Sequence, residues 1–273
     1  MEQPVVDQPR LWRLILQIDT DAIRAVAYST VEDSSMLQFS VALDQSGDQS
    51  LKSLEEAVYA NPFLLSDFGK VDVVVRTPAF FISPAAIDAI DATAGIMQMS
   101  PDHQRRLKTD YIDSLDVSLS WALAEDFANF LARTFRNPAV WHHLTPLLRY
   151  FSRKTLLGNS GKVYVHLHRG SASEMDIIAF DASGRFVLAE TRQFETVDDA
   201  AYFALSSAKI AGIDFRNDEM LVCGHNSLRE QFMGIARNYF NYVMPNIFPS
   251  AVFRVGKEAL SAPFPLIILP LCE

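Results

Sequence analysis

Residues 163–180 read VYVHLHRGSASEMDIIAF, with Val163, Val165 and Leu167 alternating with Tyr164, His166 and His168 before Arg169-Gly170-Ser171 turns the chain into a second apolar run. A strand, a small polar loop and a strand is a local architecture that often cradles a phosphate. Arg169 can meet such an anion directly through its guanidinium, while a loop serine such as Ser171 most often satisfies its own turn. A second polar stretch, Asp19-Thr20-Asp21, closes the apolar run LWRLILQI. Carboxylates at i and i+2 suit a metal-dependent nuclease, but that chemistry draws several carboxylates from separate strands around two metals. The strand ends nearest in order supply Arg76-Thr77 and Cys223-Gly224 instead.

Histidine and cysteine give two further constellations. His166 and His168 share one face of a strand and could share a metal; His142-His143 adds two imidazoles, although neighbours in an extended segment point to opposite sides. No acidic or cysteine ligand falls at a zinc spacing, which favours structural roles. Cys223 has His225 two residues on, yet no third orienting group or oxyanion site accompanies them, and a buried, inert thiol is the expected outcome.

Composition narrows the classes. The chain has 273 residues, 49% hydrophobic and 21% charged, with a formal net charge of −9. That charge argues against nucleic acid or an anionic membrane as the main partner, because both need a positive field. Two cysteines form no disulfide framework and fit a reducing compartment. The start lacks a basic and then apolar leader, and PFPLIILPLC is too short, and too broken by Pro265 and Pro270, to span a bilayer. A cytoplasmic protein is expected.

The elements that must position these residues come in a repeated order. LWRLILQID, AIRAVAYS and MLQFSVAL read as a three-strand meander, followed by a helix with Leu51, Leu54 and Val58 at helical spacing and the β-branched strand VDVVVRT. Ser83-Pro84 reads as a helix N-cap leading into Ile87 and Ile90. Residues 91–110 lack periodicity and read as a surface excursion whose Arg105, Arg106 and Lys108 form a solvated basic patch. VSLSWAL is a strand, Phe127, Phe130, Leu131 and Phe135 line one helix face, and another helix begins at Thr145-Pro146. After the linker LLGNSGK (156–162) the order restarts: KVYVHLHRG, EMDIIAFD and RFVLAETRQF, with a tight turn at Ser183-Gly184, then a helix, the strand EMLVCG and a helix capped by Ser227 and Glu230. Each half reads strand-strand-strand-helix-strand-helix, and two such α/β lobes are expected to leave a cleft. Phe80-Phe81 and Phe248-Pro249 are candidates for an exposed partner patch.

This duplicated plan resembles the actin-like ATPase superfamily, whose lobes have a ribonuclease H-like core. VSLSWALAEDFANFLARTFRNPAVWHHLTPLLRYF looks like the small added subdomain and following helix of the pilus-assembly and cell-division members. Through FFISPAAI, NPAVWHHLTPLL and QFETVDDAAYFAL, the whole chain is similar to a bacterial family of unknown function with an actin-like fold. The resemblance implies an α/β fold of two ribonuclease H-like lobes, at 1–155 and 156–273, with a small subdomain in the first at about 111–143.

It also implies three ligand loops. The first phosphate loop of active members ends Asp-x-Gly; here Asp19 matches, but Asp21 replaces the glycine. An added carboxylate costs about 4 kcal/mol against a phosphate charge about 4 Å away at an effective dielectric of about 20. The second loop begins with an acidic residue that helps organise magnesium; here His168-Arg169-Gly170-Ser171 stands, and imidazole is a poor magnesium ligand. The third loop has paired glycines; Gly224 is kept and His225 takes the second place. The candidate cleft residues are therefore Asp19, Thr20, Asp21, His168, Arg169, Gly170, Ser171, Gly224 and His225, with no catalytic or metal residue and no cofactor expected, Mg·ATP being disfavoured. The expected function is a non-catalytic cytoplasmic binding or scaffold component with a protein partner. The alternative is an ATP-binding switch or ATPase with atypical phosphate loops.

Overall fold

In chain order the first half runs β1 (Trp12–Ile18), β2 (Ala22–Ser29), β3 (Leu37–Ala42), α1 (Ser50–Tyr59), β4 (Lys70–Val75), β5 (Phe80–Pro84), β6 (Arg105–Ile112), β7 (Val117–Ala124), α2 (Glu125–Thr134), β8 (Ala139–His142) and α3 (Leu144–Thr155). The second runs β9 (Lys162–Arg169), β10 (Ser173–Phe180), β11 (Phe186–Phe194), α4 (Val197–Ile210), β12 (Glu219–Gly224), α5 (Asn226–Ala236) and β13 (Tyr242–Pro245), followed by α6 (Val252–Val255) and α7 (Phe264–Ile268). The structure is a computed structural model and describes residues 6–44, 50–87, 105–155 and 158–272. Of the sequence expectations, Ile90, residues 91–104 and Leu156-Leu157 lie outside the described residues.

The two five-stranded sheets are built alike. The first has the order β3-β2-β1-β4-β8 and the second β11-β10-β9-β12-β13. In each, the meander pairs antiparallel and the central strand pairs in parallel with the strand that follows the helix. The central position explains why β1 reads as a near-continuous apolar run and why even the histidines of β9 are buried, since a strand covered on both faces has no solvent side. Each half also has a fifth strand, β8 or β13, that the sequence pattern did not reveal, because both are only four residues long.

Contacts divide the chain into 1–146 with 249–273, and 147–248. The sequence suggests a boundary at 155/156 with the C-terminal segment in the second lobe; that segment instead belongs with the first unit. The Ser34 and Met36 N–H groups donate to the Arg254 and Val255 carbonyls at 2.7 and 2.9 Å. Leu266, Ile268 and Leu269 are fully buried, and α7 lies against β1 and β2. The apolar C-terminal run is thus core. Among the described residues no helix is long and apolar enough to cross a membrane.

In the second unit, Val163, Val165 and Leu167 join Ala200, Ala204 and Phe232 of α4 and α5 in one core. The alternate residues of β9 face the other way, where Phe151 of α3 stacks on Tyr164 at 3.9 Å and Thr155 Oγ1 donates to the Tyr164 hydroxyl at 3.0 Å.

A three-stranded sheet, β5-β7-β6, is inserted between β4 and β8, with α2 against β7. Here two expectations are corrected. Ser83-Pro84 does not open a helix: both residues end β5 and pair with Ser118 and Val117, a place where an edge strand tolerates the missing proline N–H. Residues 105–110 are not an excursion but most of β6, an edge strand whose solvent side blurs its alternation. Arg106 bonds Asn129 at 3.3 Å and lies 3.7 Å from Glu125.

Three strands of the first sheet share one buried ion pair. Arg13 of β1 donates to Asp72 of β4 at 2.7 Å, and Trp141 Nε1 of β8 donates to the same carboxylate at 3.0 Å. Asp72 is fully buried and Arg13 only 5% exposed. Asp72→Ala would strand the guanidinium in the core and is expected to cost about 3–5 kcal/mol, whereas the double substitution Arg13→Met/Asp72→Leu recovers most of it. Urea unfolding of the three chains measures both.

Candidate functional site

The hairpin between β1 and β2 fixes the first loop. Asp19 N–H donates to Ala22 O at 3.0 Å, and the register places Gln17 opposite Arg24. Because residues two apart share a strand face, Gln17 and Asp19 lie on one side with Arg24 between them. Gln17 Nε2 donates to both Asp19 oxygens, at 3.0 and 2.9 Å. Arg24 Nη1 donates to Asp19 Oδ2, and Nη2 to Asp21 Oδ2 at 3.3 Å. One guanidinium therefore bridges the two carboxylates.

Asp19 is 7% exposed. Burial raises its pKa from the ordinary 3.8, with Arg24, the Gln17 hydrogen bond and Arg76 opposing the rise. Thr20 is exposed and Asp21 half-buried. A cavity of about 310 Å³ opens beside Asp19 and Thr20, walled by Leu51, Leu54, Val75 and Phe127, with Asp44, Arg76 and Asp126 as further charged points. Sequence reading missed Arg24 and Gln17; the two-strand hairpin register was the signal that finds them.

The second and third loops meet in the other unit, because Leu167 pairs with Gly224 and His225 N–H donates to Leu167 O at 3.3 Å. His168 belongs to β9, buried opposite Glu174, and Arg169 is the last residue of that strand. The turn proper is Gly170–Ala172, closed by Gly170 N–H on Ala172 O at 3.2 Å; Arg169, Ser171 and His225 are exposed. Gly224 has φ +110, and a Cβ there would lie 2.0 Å from Leu167 O. That close strand approach explains the glycine.

The remaining candidates have structural partners. His166 Nδ1 bonds Asp176 Oδ2 at 2.9 Å, and Thr191 Oγ1 donates to the other oxygen at 2.9 Å. Cys223 faces away from His225: its thiol donates to Val165 O at 3.7 Å, and burial raises its pKa. His225 instead bonds Ser227, whose hydroxyl does not cap α5. His142 and His143 do not diverge; their rings are 4.3 Å apart and fully buried, because the chain leaves β8 at His142 and turns into α3. Leu144 N–H donates to His142 Nδ1 and His142 Nε2 bonds Thr77 O, at 3.2 and 3.0 Å. Phe80 packs on the His142 ring, whereas Phe81 is exposed and Phe248 half-buried. Among the described residues no group of three or more His, Cys, Asp or Glu side chains is placed to hold a metal ion.

Two ribonuclease H-like lobes of one topology, with a small sheet inserted in the first, define the actin-like ATPase fold. A Bacteroides thetaiotaomicron protein with that fold and unknown function superposes with a TM-score of 0.81, at 19% identity over 99% of this chain and 100% of that one. The PilM–PilN type IV pilus biogenesis complex follows at 0.51, with 12% identity over 95% and 98% of the two chains. Residues 6–243 match the family described as Protein of unknown function (DUF3822), and the chain belongs to that family. A comparison with curated proteins gave no match.

Two outcomes follow from the loop geometry. Gly224→Ala is expected to destabilise the chain by at least about 2 kcal/mol, read from thermal or urea unfolding, since both the backbone angle and the contact resist a side chain. Asp19 holds its proton to higher pH in the folded chain than in the unfolded one. Its contribution is complete below 3.8 and is lost as pH rises through the folded value. The stability of the wild type relative to Asp19→Asn should therefore fall with rising pH across the acid range; a flat difference in urea titrations overturns the assignment.

Proposed function

We propose that this protein is a non-catalytic member of the actin-like fold that acts as a cytoplasmic binding or scaffold component. The observation that carries the reading is the Arg24 guanidinium bonded to both Asp19 and Asp21. These are the carboxylates that would face a magnesium-bound triphosphate, and the chain's own cation already occupies their oxygens. Magnesium requires hard oxygen ligands in near-ideal octahedral array. A guanidinium on those oxygens both blocks them and repels a second cation, by about 4 kcal/mol per unit charge at about 4 Å and an effective dielectric of about 20.

The second loop supports the same reading, since buried His168 stands where an acidic residue would help organise the metal. The residues present thus do not fit a Mg·ATP group. A protein partner is supported at the level of the fold by PilM, which is seen in complex with PilN.

Titration calorimetry with Mg·ATP tests the proposal. The wild type is expected to give no binding heat at about millimolar nucleotide. Arg24→Ala, which unmasks the two carboxylates, is expected to bind Mn²⁺ at least about tenfold more tightly than the wild type, as read by water proton relaxation. Micromolar Mg·ATP binding by the wild type would overturn the reading.

A further inference from the structure

Away from the phosphate loops, the first unit carries a cleft of about 450 Å³ between the turn that enters β4 and the turn that leaves α2. That size suits a small ligand. Leu64, Phe68, Phe135 and Pro138 form an apolar wall, the first three buried, beside polar Ser66, Asp67, Lys70 and Asn137. Its rim is cationic. Arg136 Nη1 lies 2.7 Å from Asp67 Oδ1, and Arg10 Nε lies 2.8 Å from Asp67 Oδ2. Two guanidiniums thus share one carboxylate, while their side chains stay 81% and 80% exposed. A guanidinium has five donors in a fixed fork, so this arrangement holds more oxyanion-binding capacity than Asp67 uses, within a chain of net charge −9.

Two backbone features position the arginines. Gly69 lies against the chain that carries Arg10: a Cβ there would sit 2.1 Å from Arg10 O, so only glycine brings that arginine to the rim. Arg136 and Asn137, φ 52 and 61, close α2 in a Schellman turn, with the Asn137 N–H on Ala132 O at 3.2 Å, and so hold Arg136 beside the cleft.

We propose that this cleft binds a small organic oxyanion, a carboxylate or phosphate group carried on an apolar body. Arg10 and Arg136 hold its oxygens, and Asp67 is the internal carboxylate that the ligand displaces. The proposal does not rest on the reading of the phosphate loops.

Benzoate and phenyl phosphate are the probes, titrated into the full chain by calorimetry and by amide chemical-shift perturbation, with acetate, inorganic phosphate and benzyl alcohol as controls. At least one aromatic anion is expected to bind about tenfold more tightly than every control and to shift the Gly69 and Asn137 amides; the stronger of the two assigns carboxylate or phosphate. Arg10→Gln and Arg136→Gln should each weaken it about fivefold or more, and Asp67→Asn should strengthen it by removing the internal competitor. The shift pattern in the unsubstituted chain keeps the test valid if a variant fails to fold. The proposal is overturned if no probe moves those amides at about 10 mM, if the folded glutamine variants bind like the wild type, if bare anions bind as well as aromatic ones, or if only an acidic peptide binds.

Discussion

A carboxylate taken out of water must be answered by a donor, and every sheet of this protein contains one. Asp19 and Asp72 in the first unit's main sheet, Asp110 in the inserted sheet and Asp176 in the second unit's sheet are all at most 7% exposed. The chain supplies the answer each time from a neighbouring strand or turn. Arg24 and Gln17 meet Asp19; Arg13 and Trp141 meet Asp72; Thr145 and the His142 backbone meet Asp110; His166 and Thr191 meet Asp176. Leaving any of them unanswered would cost several kcal/mol per charge, a large share of the roughly 5–15 kcal/mol that holds a typical domain together. Each carboxylate ties its strand or turn to a neighbouring element.

The same constraint decides what the pocket-like loops can do. A carboxylate that already holds the chain's own guanidinium, as Asp19 and Asp21 hold Arg24, must give up that partner before it can take another cation. The answer need not be complete: burial still raises the pKa of Asp19 and of Asp110 despite their hydrogen bonds. For Asp110 those bonds tie β6 of the inserted sheet to the start of α3, so a group with the chemistry of a catalytic acid serves as a joint between elements.

How much of this the sequence showed depends on the range of the interaction. Alternation in VSLSWAL, the continuous run VDVVVRT and the repeated order of elements are local or periodic, and they yielded strands, helices and the duplication. The misreadings arose where position in a sheet outweighs pattern. Edge strand β6 hides its period, Ser83-Pro84 mimics a cap but is held by pairing with β7, and Ser227 is drawn to His225 rather than to the helix end. The donors that answer Asp19 were legible in principle, because a hairpin closing at Asp19–Ala22 must set Gln17 opposite Arg24. The Arg13–Asp72 and Asp110–Thr145 contacts span 59 and 35 residues and follow from no local rule.

The two units make the separation of fold from chemistry explicit. Ile18 pairs with Val75 in the first and Leu167 with Gly224 in the second, at matching places in matching sheets. The next N–H in each closes on the central strand with one geometry: Arg76 to Ile18 O and His225 to Leu167 O, both at 3.3 Å. Backbone hydrogen bonding therefore repeats, while the side chains hung on it do not. The first hairpin turn carries two carboxylates held by Arg24, and the second carries exposed Arg169 beside Gly170 and Ser171. Since the ladder bonds are made by main-chain groups, substituting the side chains at the strand ends leaves the sheet intact. A fold can then persist at a TM-score of 0.81 with 19% identity, and the function must be read from the charges at each turn rather than from the architecture that presents them.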